Sequence, residues 1–534
     1  MRRGGLARRA GRLGCGGRPG RGGRGAFGWR LAGAALLALG VGGCALPGLG
    51  GGASEAGPAD PEAAARARAE RMADSLLSRK GPPVGRKAIE ALEFAPLRFE
   101  PPEPTRFQLS NGVTVFFLRD RAFPLVDLFI DVKGGYLYLD RSQYAAAAAL
   151  LPMMRNGGTA SLPPDSVDGV IEFNALGLST ASNGAQLRLG ISALADQLDL
   201  ALDLWSDILL HPRFDPDALE RWRRREIEAV RRLPDLPGSL AVMEFNRLMY
   251  GEHPTGWRMA EEDLVVDRVD RDRLLELHAR MVCPDHAVVG AAGDISVDAL
   301  REKLERVLGD WEPCGTDLVE PDPPTLRADP TVYVIHRPIP QTTVVVGQPG
   351  GVLMEESEDY FASRVANWLL GGSGFTSRLM QRLRTQEGLA YSASSIWGTA
   401  REHERILGAI THTRSESTVE AARLLLDTFR EARASPPGAG DIAMARDAIA
   451  NGFVFGFSSP IQIVARQVSY LLDGLPGDWL DRYLRGIRAV DEAAVARVLR
   501  QTIDTSRFTI VVVGDTTLFD PTQLGVVEYL SARR

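Results

Sequence analysis

Two stretches of this chain carry the same pattern of apolar and polar positions. In VDRDRLLELHARMVCPDHAVVGAAGD (269–294) apolar residues recur at helical spacing, with Leu274 and Leu277 on one face. In VDEAAVARVLRQTIDTSRFTIVVVGD (490–515) the matching positions are Val495 and Val498. Residues three apart share a helix face, so each stretch opens as an amphipathic helix. Each then passes through a short loop into an unbroken apolar run that reads as a buried strand. The runs end in Gly293-Asp294 and Gly514-Asp515, and the stretches align without a gap.

A second pair agrees at the front of each half. LVDLFIDVKGGYLYLDRSQY (125–144) matches VVVGQPGGVLMEESEDY (344–360), with Gly134-Gly135 over Gly350-Gly351 and Tyr144 over Tyr360. In each, a strand turns through paired glycines toward a helix. Two such pairs in the same order predict a duplicated unit, residues 100–320 and 325–534.

The segments between are helix-rich. ADQLDLALDLWSDILLHP (195–212) and VEAARLLLDTFREARAS (419–435) have apolar residues at helical spacing. Asp215-Pro216 supplies an N-cap and a first-turn proline for the next helix. In FQLSNGVTVFFLRD (107–120), Asn111-Gly112 joins two short apolar runs as a hairpin. The predicted fold class is α+β: two homologous domains, each a mostly antiparallel sheet with helices packed on one face.

The N-terminus breaks this pattern. Residues 1–30 hold nine arginines and no acid, and the apolar run LAGAALLALGV (31–41) follows, then small residues up to Cys44. That is a secretory signal, residues 1–44, and its ending VGGC resembles a bacterial lipobox in which Cys44 becomes the lipidated first residue. After Val41 the stretch is mostly glycine, too weakly apolar to span a membrane. Residues 45–95 read as a Gly-, Ala- and Pro-rich tether with one exposed charged helix at 61–80. The expected setting is the cell envelope: lipid-anchored, periplasmic, at the outer membrane. Ala45 rather than an aspartate after Cys44 favours that membrane over the inner one. Without those nine arginines, 53 basic residues face 68 acidic ones. So acidic a protein is a poor nucleic-acid binder. The four cysteines contain no C-x-x-C spacing that suggests a disulfide framework or a zinc module; Cys283 and Cys314 could pair in an oxidising compartment, but two such cysteines are more often buried thiols.

LLGGSGFTSRLMQRLRTQEGLAYSASS (369–395) closely resembles the C-terminal domain of the pitrilysin/insulinase family, the inverzincin peptidases that include the mitochondrial processing peptidase. The resemblance extends over 100–534, through LSNGVTVFF, NGGT, PDLP and both Gly-Asp strand ends. It implies a repeat of two related α+β domains, as the duplication does independently. The family's zinc motif, H-x-x-E-H, lies on a helix just before a Gly-Thr turn. Anchoring on Gly158-Thr159 puts Ala149, Pro152 and Met153 in place of its His, Glu and His. A catalytic zinc needs three protein N or O ligands and one open position. Alanine has no lone pair, and a thioether is a soft ligand better suited to Cu(I). Pro152 also removes a helical hydrogen bond, so the helix is expected to bend or end there. The third ligand position falls on Ala229, with Glu228 beside it on a charged helix face. The seven histidines (His211, His253, His278, His286, His336, His403, His412) contain no i, i+4 pair to rebuild a site. No zinc is expected in this chain.

Arg384 and Tyr391 stand where the family has an Arg and a Tyr that reach toward the zinc site and hold substrate. Taken alone they read as a helix-surface arginine and a packed strand aromatic. Within the intact LRTQEGLAY, the resemblance implies guanidinium donors for peptide carbonyls and a phenol for the developing oxyanion. GGSGFTS (371–377) lacks the Gly-Lys-Ser/Thr of a phosphate loop and the last glycine of a nucleophile elbow. Through Gly371, Gly372 and Gly374 it resembles the glycine-rich substrate loop of a processing peptidase's non-catalytic subunit, and equally a plain helix-to-helix turn. The resemblance implies a non-zinc subunit of a heterodimeric metallopeptidase, acting on peptides or unfolded segments. Its partner would be an H-x-x-E-H-containing homologous subunit that holds the zinc. The alternative is an inactive, peptidase-derived scaffold or binding lipoprotein.

Overall fold

Asn111-Gly112 turns the chain between β1 (Thr105–Gln108) and β2 (Thr114–Arg119), with Gly112 at φ 88°. The hairpin is antiparallel and pairs Phe107 with Val115. The computed structural model describes residues 100–315 and 317–531. The signal segment with Cys44, the tether and the 61–80 helix lie outside the described residues.

With β3 (Leu125–Lys133), β4 (Gly177–Ser182), β5 (Gln186–Leu194) and β6 (Ala287–Gly293), the hairpin builds a six-stranded sheet of order β1-β2-β6-β3-β5-β4. The second sheet uses β7 (Val332–His336), β8 (Gln341–Pro349), β10 (Ala390–Trp397), β12 (Ile406–Arg414), β13 (Thr509–Gly514) and β14 (Val527–Tyr529). Between them, β9 (Val352–Leu353) and β11 (Thr399–Ala400) make a two-residue ladder. The order is β10-β12-β8-β13-β7-β14, so β2-β6-β3-β5-β4 and β7-β13-β8-β12-β10 correspond strand for strand. In both, one parallel pair (β2/β6, β7/β13) precedes antiparallel neighbours. The duplicated α+β architecture is present, and the two aligned Gly-Asp strands, β6 and β13, are equivalent and central.

One face of each sheet carries its own helices. In the first half these are α1 (Tyr144–Asn156), α2 (Leu198–Leu210) and α3 (Pro216–Arg232). Trp205 of α2 is fully buried and donates its indole N–H to the Leu189 carbonyl. Asp215 caps α3 by accepting from the Asp217 and Ala218 amides.

The other face is covered as well, and by the other half. Helix α4 (Pro237–Tyr250) lays Leu240, Ala241, Phe245 and Met249 on Tyr333, Ile335, Val345, Val511 and Val513 of the second sheet. In the second half, α5 (Glu358–Asn367) and α6 (Thr418–Ala434) pack on the sheet's own side. Helix α7 (Pro460–Leu472) returns the exchange, with Val464 and Val468 against Phe116, Phe129, Val288 and Ala292 of the first sheet. Successive side chains of a strand point to opposite faces. So Ile510 and Val512 of β13 enter the second half's own core, while Val511 and Val513 meet α4. A strand buried on both faces needs apolar residues at every position rather than alternate ones. That is why AVVGAAG and TIVVVG run unbroken. The described residues belong to one compact unit, Pro96–Arg534.

The structure decides two points on which the sequence left alternatives. Helix α1 does not end at Pro152 but runs on to Asn156. Leu150, Leu151, Met153 and Met154 are all buried, and their packing holds the turn despite the missing N–H. Cys283 and Cys314 form a disulfide rather than two buried thiols. Cys283 precedes β6, and the Val297–Leu308 helix carries the chain back past the start of that strand. The two Cα atoms therefore meet at 5.8 Å, inside the range a disulfide needs.

Candidate functional site

The glycine loop leaves α5 through a π-helical turn, Trp368–Gly372, and a single 3₁₀ turn, Gly374–Thr376. Gly371 presses its backbone against β10: a Cβ there would lie 2.2 Å from the Ser395 nitrogen. Gly374 sits at φ +63°, where a side chain is disfavoured. Gly372 approaches the Asn367 carbonyl, and Asn367 also accepts from the Ser395 hydroxyl at 2.6 Å. The Gln381 amide donates to the Phe375 carbonyl at 2.6 Å, and the Ser377 side chain caps the next helical turn through the Met380 amide. The loop is thus tied to the strand on one side and to the following helix on the other.

That helix continues in π-helical form over Gln381–Gln386 and presents Arg384. A second π segment matters because such turns re-aim side chains relative to a regular helix. Strand β10 then runs along the end of the second sheet, paired only with β12 among the described strands. Its register jumps between Ala390 and Ser392, leaving Tyr391 as the extra residue of a bulge. Bulges at sheet edges turn a side chain away from the pleat. Tyr391 is accordingly 79% exposed while Ala390 beside it is buried. The Arg384 guanidinium lies 5.2 Å from the Tyr391 ring centre and 4.5 Å from that of Phe375. Arg384 makes no ion pair with any described residue. The structure therefore brings Arg384 and Tyr391 together, while Gly371 and Gly372 lie against Ser395 and Asn367 and Gly374 directly precedes Phe375. Phe375 joins the pair, although in the sequence it marked only the failure of a nucleophile-elbow pattern.

The degenerate motif is placed differently. Ala149 and Met153 are 0% and 1% exposed inside the first half's core, among Leu150, Leu151 and Met154. Pro152 is half-buried on the same helix. Ala229 is exposed near the end of α3, and Glu228 is exposed and bonded to Arg232 at 2.6 Å, an ordinary solvated i, i+4 pair. These residues do not fit a catalytic zinc: two positions are apolar core, and Glu228, beside the third, already serves an arginine. Among the described residues, one other grouping puts three ligand-type atoms within 4.8 Å, Cys283, His286 and Cys314. Both of its sulfurs are committed to the disulfide.

A further polar cluster sits where the halves meet. His253, just after α4, and His403, just before β12, pack edge-on with ring centres 5.5 Å apart. Neither Nε2 finds a hydrogen-bond partner among the described residues. Burial first, then the nearby Arg405 guanidinium, holds both histidines below the usual imidazole pKa, His403 down to about 4. On β12, His412 is also pushed down by burial, and its Nδ1 lies 3.0 Å from the Thr343 hydroxyl. His253 and His403 are 150 positions apart in the sequence, so no spacing rule marks them as neighbours.

Two family models match the chain. One, described as insulinase (peptidase family M16), covers 120–250, and the other, described as the peptidase M16 inactive domain, covers 268–449. Among curated relatives, a non-peptidase homolog, YmxG of Helicobacter pylori, is 25% identical over 280 residues, 52% of this chain and 64% of that protein. An uncharacterized zinc protease of Mycobacterium tuberculosis is 32% identical over 206 residues, 38% of this chain and 46% of that protein. The chain thus spans less than two thirds of the length of either relative. Among solved structures, a peptidase M16 inactive domain from Pseudomonas fluorescens superposes with a TM-score of 0.69 at 22% identity, covering 78% of this chain and 98% of that one. The periplasmic protease PqqL of Escherichia coli gives a TM-score of 0.66 at 16% identity, over 78% of this chain and 46% of that one. At such identities the likeness concerns the fold.

Proposed function

The chain belongs to the M16, or insulinase, family of peptidases, and on that premise we propose that it is the non-zinc subunit of a heterodimeric metallopeptidase. Its partner is a homologous subunit that carries H-x-x-E-H and holds the zinc, which supplies an activated water. Arg384 and Tyr391 complete that partner's site. The arginine's N–H groups hold a peptide carbonyl, and the Tyr391 hydroxyl donates to the oxygen on which charge develops. The substrate is a peptide or unfolded segment, held in extended form as an extra strand on a sheet edge. In this reading Cys44 anchors the subunit by lipid on the periplasmic side of the outer membrane, and the chain itself carries no zinc.

One observation carries the proposal. An exposed tyrosine bulged out of an edge strand stands beside a half-buried arginine that has no carboxylate partner among the described residues, in a chain whose own α1 offers no ligands.

The test starts from the tagged lipoprotein purified gently from its own membranes, with zinc measured per copy. Zinc near one per copy is expected, arriving with a second subunit and lost when that subunit is stripped off. In the reconstituted pair, Arg384→Ala or Tyr391→Phe is expected to lower peptide turnover about 10²-fold, the scale of losing one oxyanion donor. Turnover unchanged by both substitutions would falsify the role.

A second reading keeps the fold and drops the chemistry: a peptidase-derived scaffold or binding lipoprotein. The match of 268–449 to an inactive-domain model supports it. A purified chain with neither zinc nor a homologous companion would favour this reading.

A further inference from the structure

We propose that Phe375 is a third substrate-contacting residue of the Arg384–Tyr391 site. It selects extended peptides that carry an aromatic or large aliphatic side chain beside the carbonyl held by Arg384. This inference rests on the reading above that Arg384 and Tyr391 hold a peptide.

Phe375 is 65% exposed, yet its backbone is fixed. Gln381 holds its carbonyl, Thr376 Oγ1 donates to the Ser373 carbonyl at 3.2 Å, and Ser377 Oγ donates to the Gly374 carbonyl at 2.7 Å. A large apolar side chain on a flexible tip can fold back out of water. One on a braced loop stays in solvent, where an apolar group of a ligand can cover it. Phe375 and Tyr391 both lie within cation–π reach of Arg384, so a row of aromatic, cation and aromatic stands at the sheet edge. With rings close to the guanidinium, its in-plane N–H donors are the part left to reach a carbonyl. The aromatic surfaces turned away from Arg384 are left for an apolar side chain of the same ligand. On its unpaired side β10 is covered at Ala393, whose N–H donates to the Met380 sulfur, and at Ser395, which lies against Gly371, so an extended backbone is held by Arg384 and Tyr391 rather than by the length of the strand. Main-chain recognition alone is indifferent to sequence, and Phe375 supplies the discrimination.

The experiment uses the full chain and two short unstructured peptides that differ at one position, Phe against Ser. Dissociation constants are read by fluorescence anisotropy for the wild type, Phe375→Ala, Phe375→Leu and Arg384→Ala. The wild type should bind the Phe peptide about tenfold more tightly, the scale of one added aromatic contact. Phe375→Ala should erase that preference by weakening the Phe peptide about tenfold more than the Ser peptide, Phe375→Leu should keep most of it, and Arg384→Ala should weaken both peptides. If Phe375→Ala weakens both peptides alike, Phe375 only supports Arg384 and the inference fails. It also fails if the wild type does not distinguish the peptides or binds neither. If Arg384→Ala changes neither affinity, the peptide-holding reading itself fails, and this inference with it.

Discussion

Arg384 and Tyr391 were legible as candidates because they sit in an unbroken motif, but their geometry was not. Nothing in LRTQEGLAY says that Tyr391 is the extra residue of a bulge. Nor does it say that Phe375 lies against the arginine, since that contact depends on how the glycine loop folds back. The histidine pair was hidden for a related reason: His253 and His403 become neighbours only when the halves pack. Their effect on stability has a definite sign. Burial and Arg405 depress both pKa values in the folded state, while an unfolded histidine keeps about 6.5. Between that value and about 4 the unfolded chain therefore binds more protons, and folding stability falls as pH drops through this window. Tyr250 and Arg405 face the pair, and Glu402 opposes the effect only as His403's weakest influence. Thermal melts from pH 7 to pH 4 should show a steep decline, less steep in His403→Gln. A parallel decline in that variant would assign the acid sensitivity to other groups.

At the scale of elements, the continuous apolar runs at 287–293 and 509–514 announced strands buried on both faces. They could not announce what covers the second face. An apolar stripe on a helix such as α4 states only that the stripe is buried, and its partner is chosen by the path of the chain. The exchange of α4 and α7 has a measurable consequence. Phe245 belongs to the first half in sequence but packs in the second half's sheet. Phe245→Ala should cost about 3–5 kcal/mol, the range for emptying a fully packed aromatic site. The accompanying loss of hydrogen-exchange protection should centre on β8 and β13. Protection lost only within residues 105–293 would count against the exchange. Pro152 teaches the opposite lesson: the helix does not end there, and four buried neighbours carry it on to Asn156.

For the molecule as a whole, the disulfide links the entry to β6 with the segment that leads out of the first half. It closes a loop of 31 residues, which in the chain-entropy account stabilises the folded state by about 3–4 kcal/mol. Cys283→Ser, or reduction of the wild type, should lower the denaturation midpoint accordingly without changing the peptide preference assigned to Phe375. Equal midpoints with and without reductant would mean that the bond adds nothing.

The duplication, the α+β class, the hairpin at Asn111-Gly112 and the loss of ligand chemistry in α1 were all determined by the sequence alone. Each depends on local rules: the period of apolar residues, the conformation a glycine permits, and the lone pairs a side chain does or does not carry. Only the tertiary structure decided that each half lends a helix to the other's sheet, that Cys283 meets Cys314, and that Phe375 joins Arg384 and Tyr391. Those are contacts between residues distant in the chain or across a folded loop. Their partners are selected by packing, and packing has no signature at any single position.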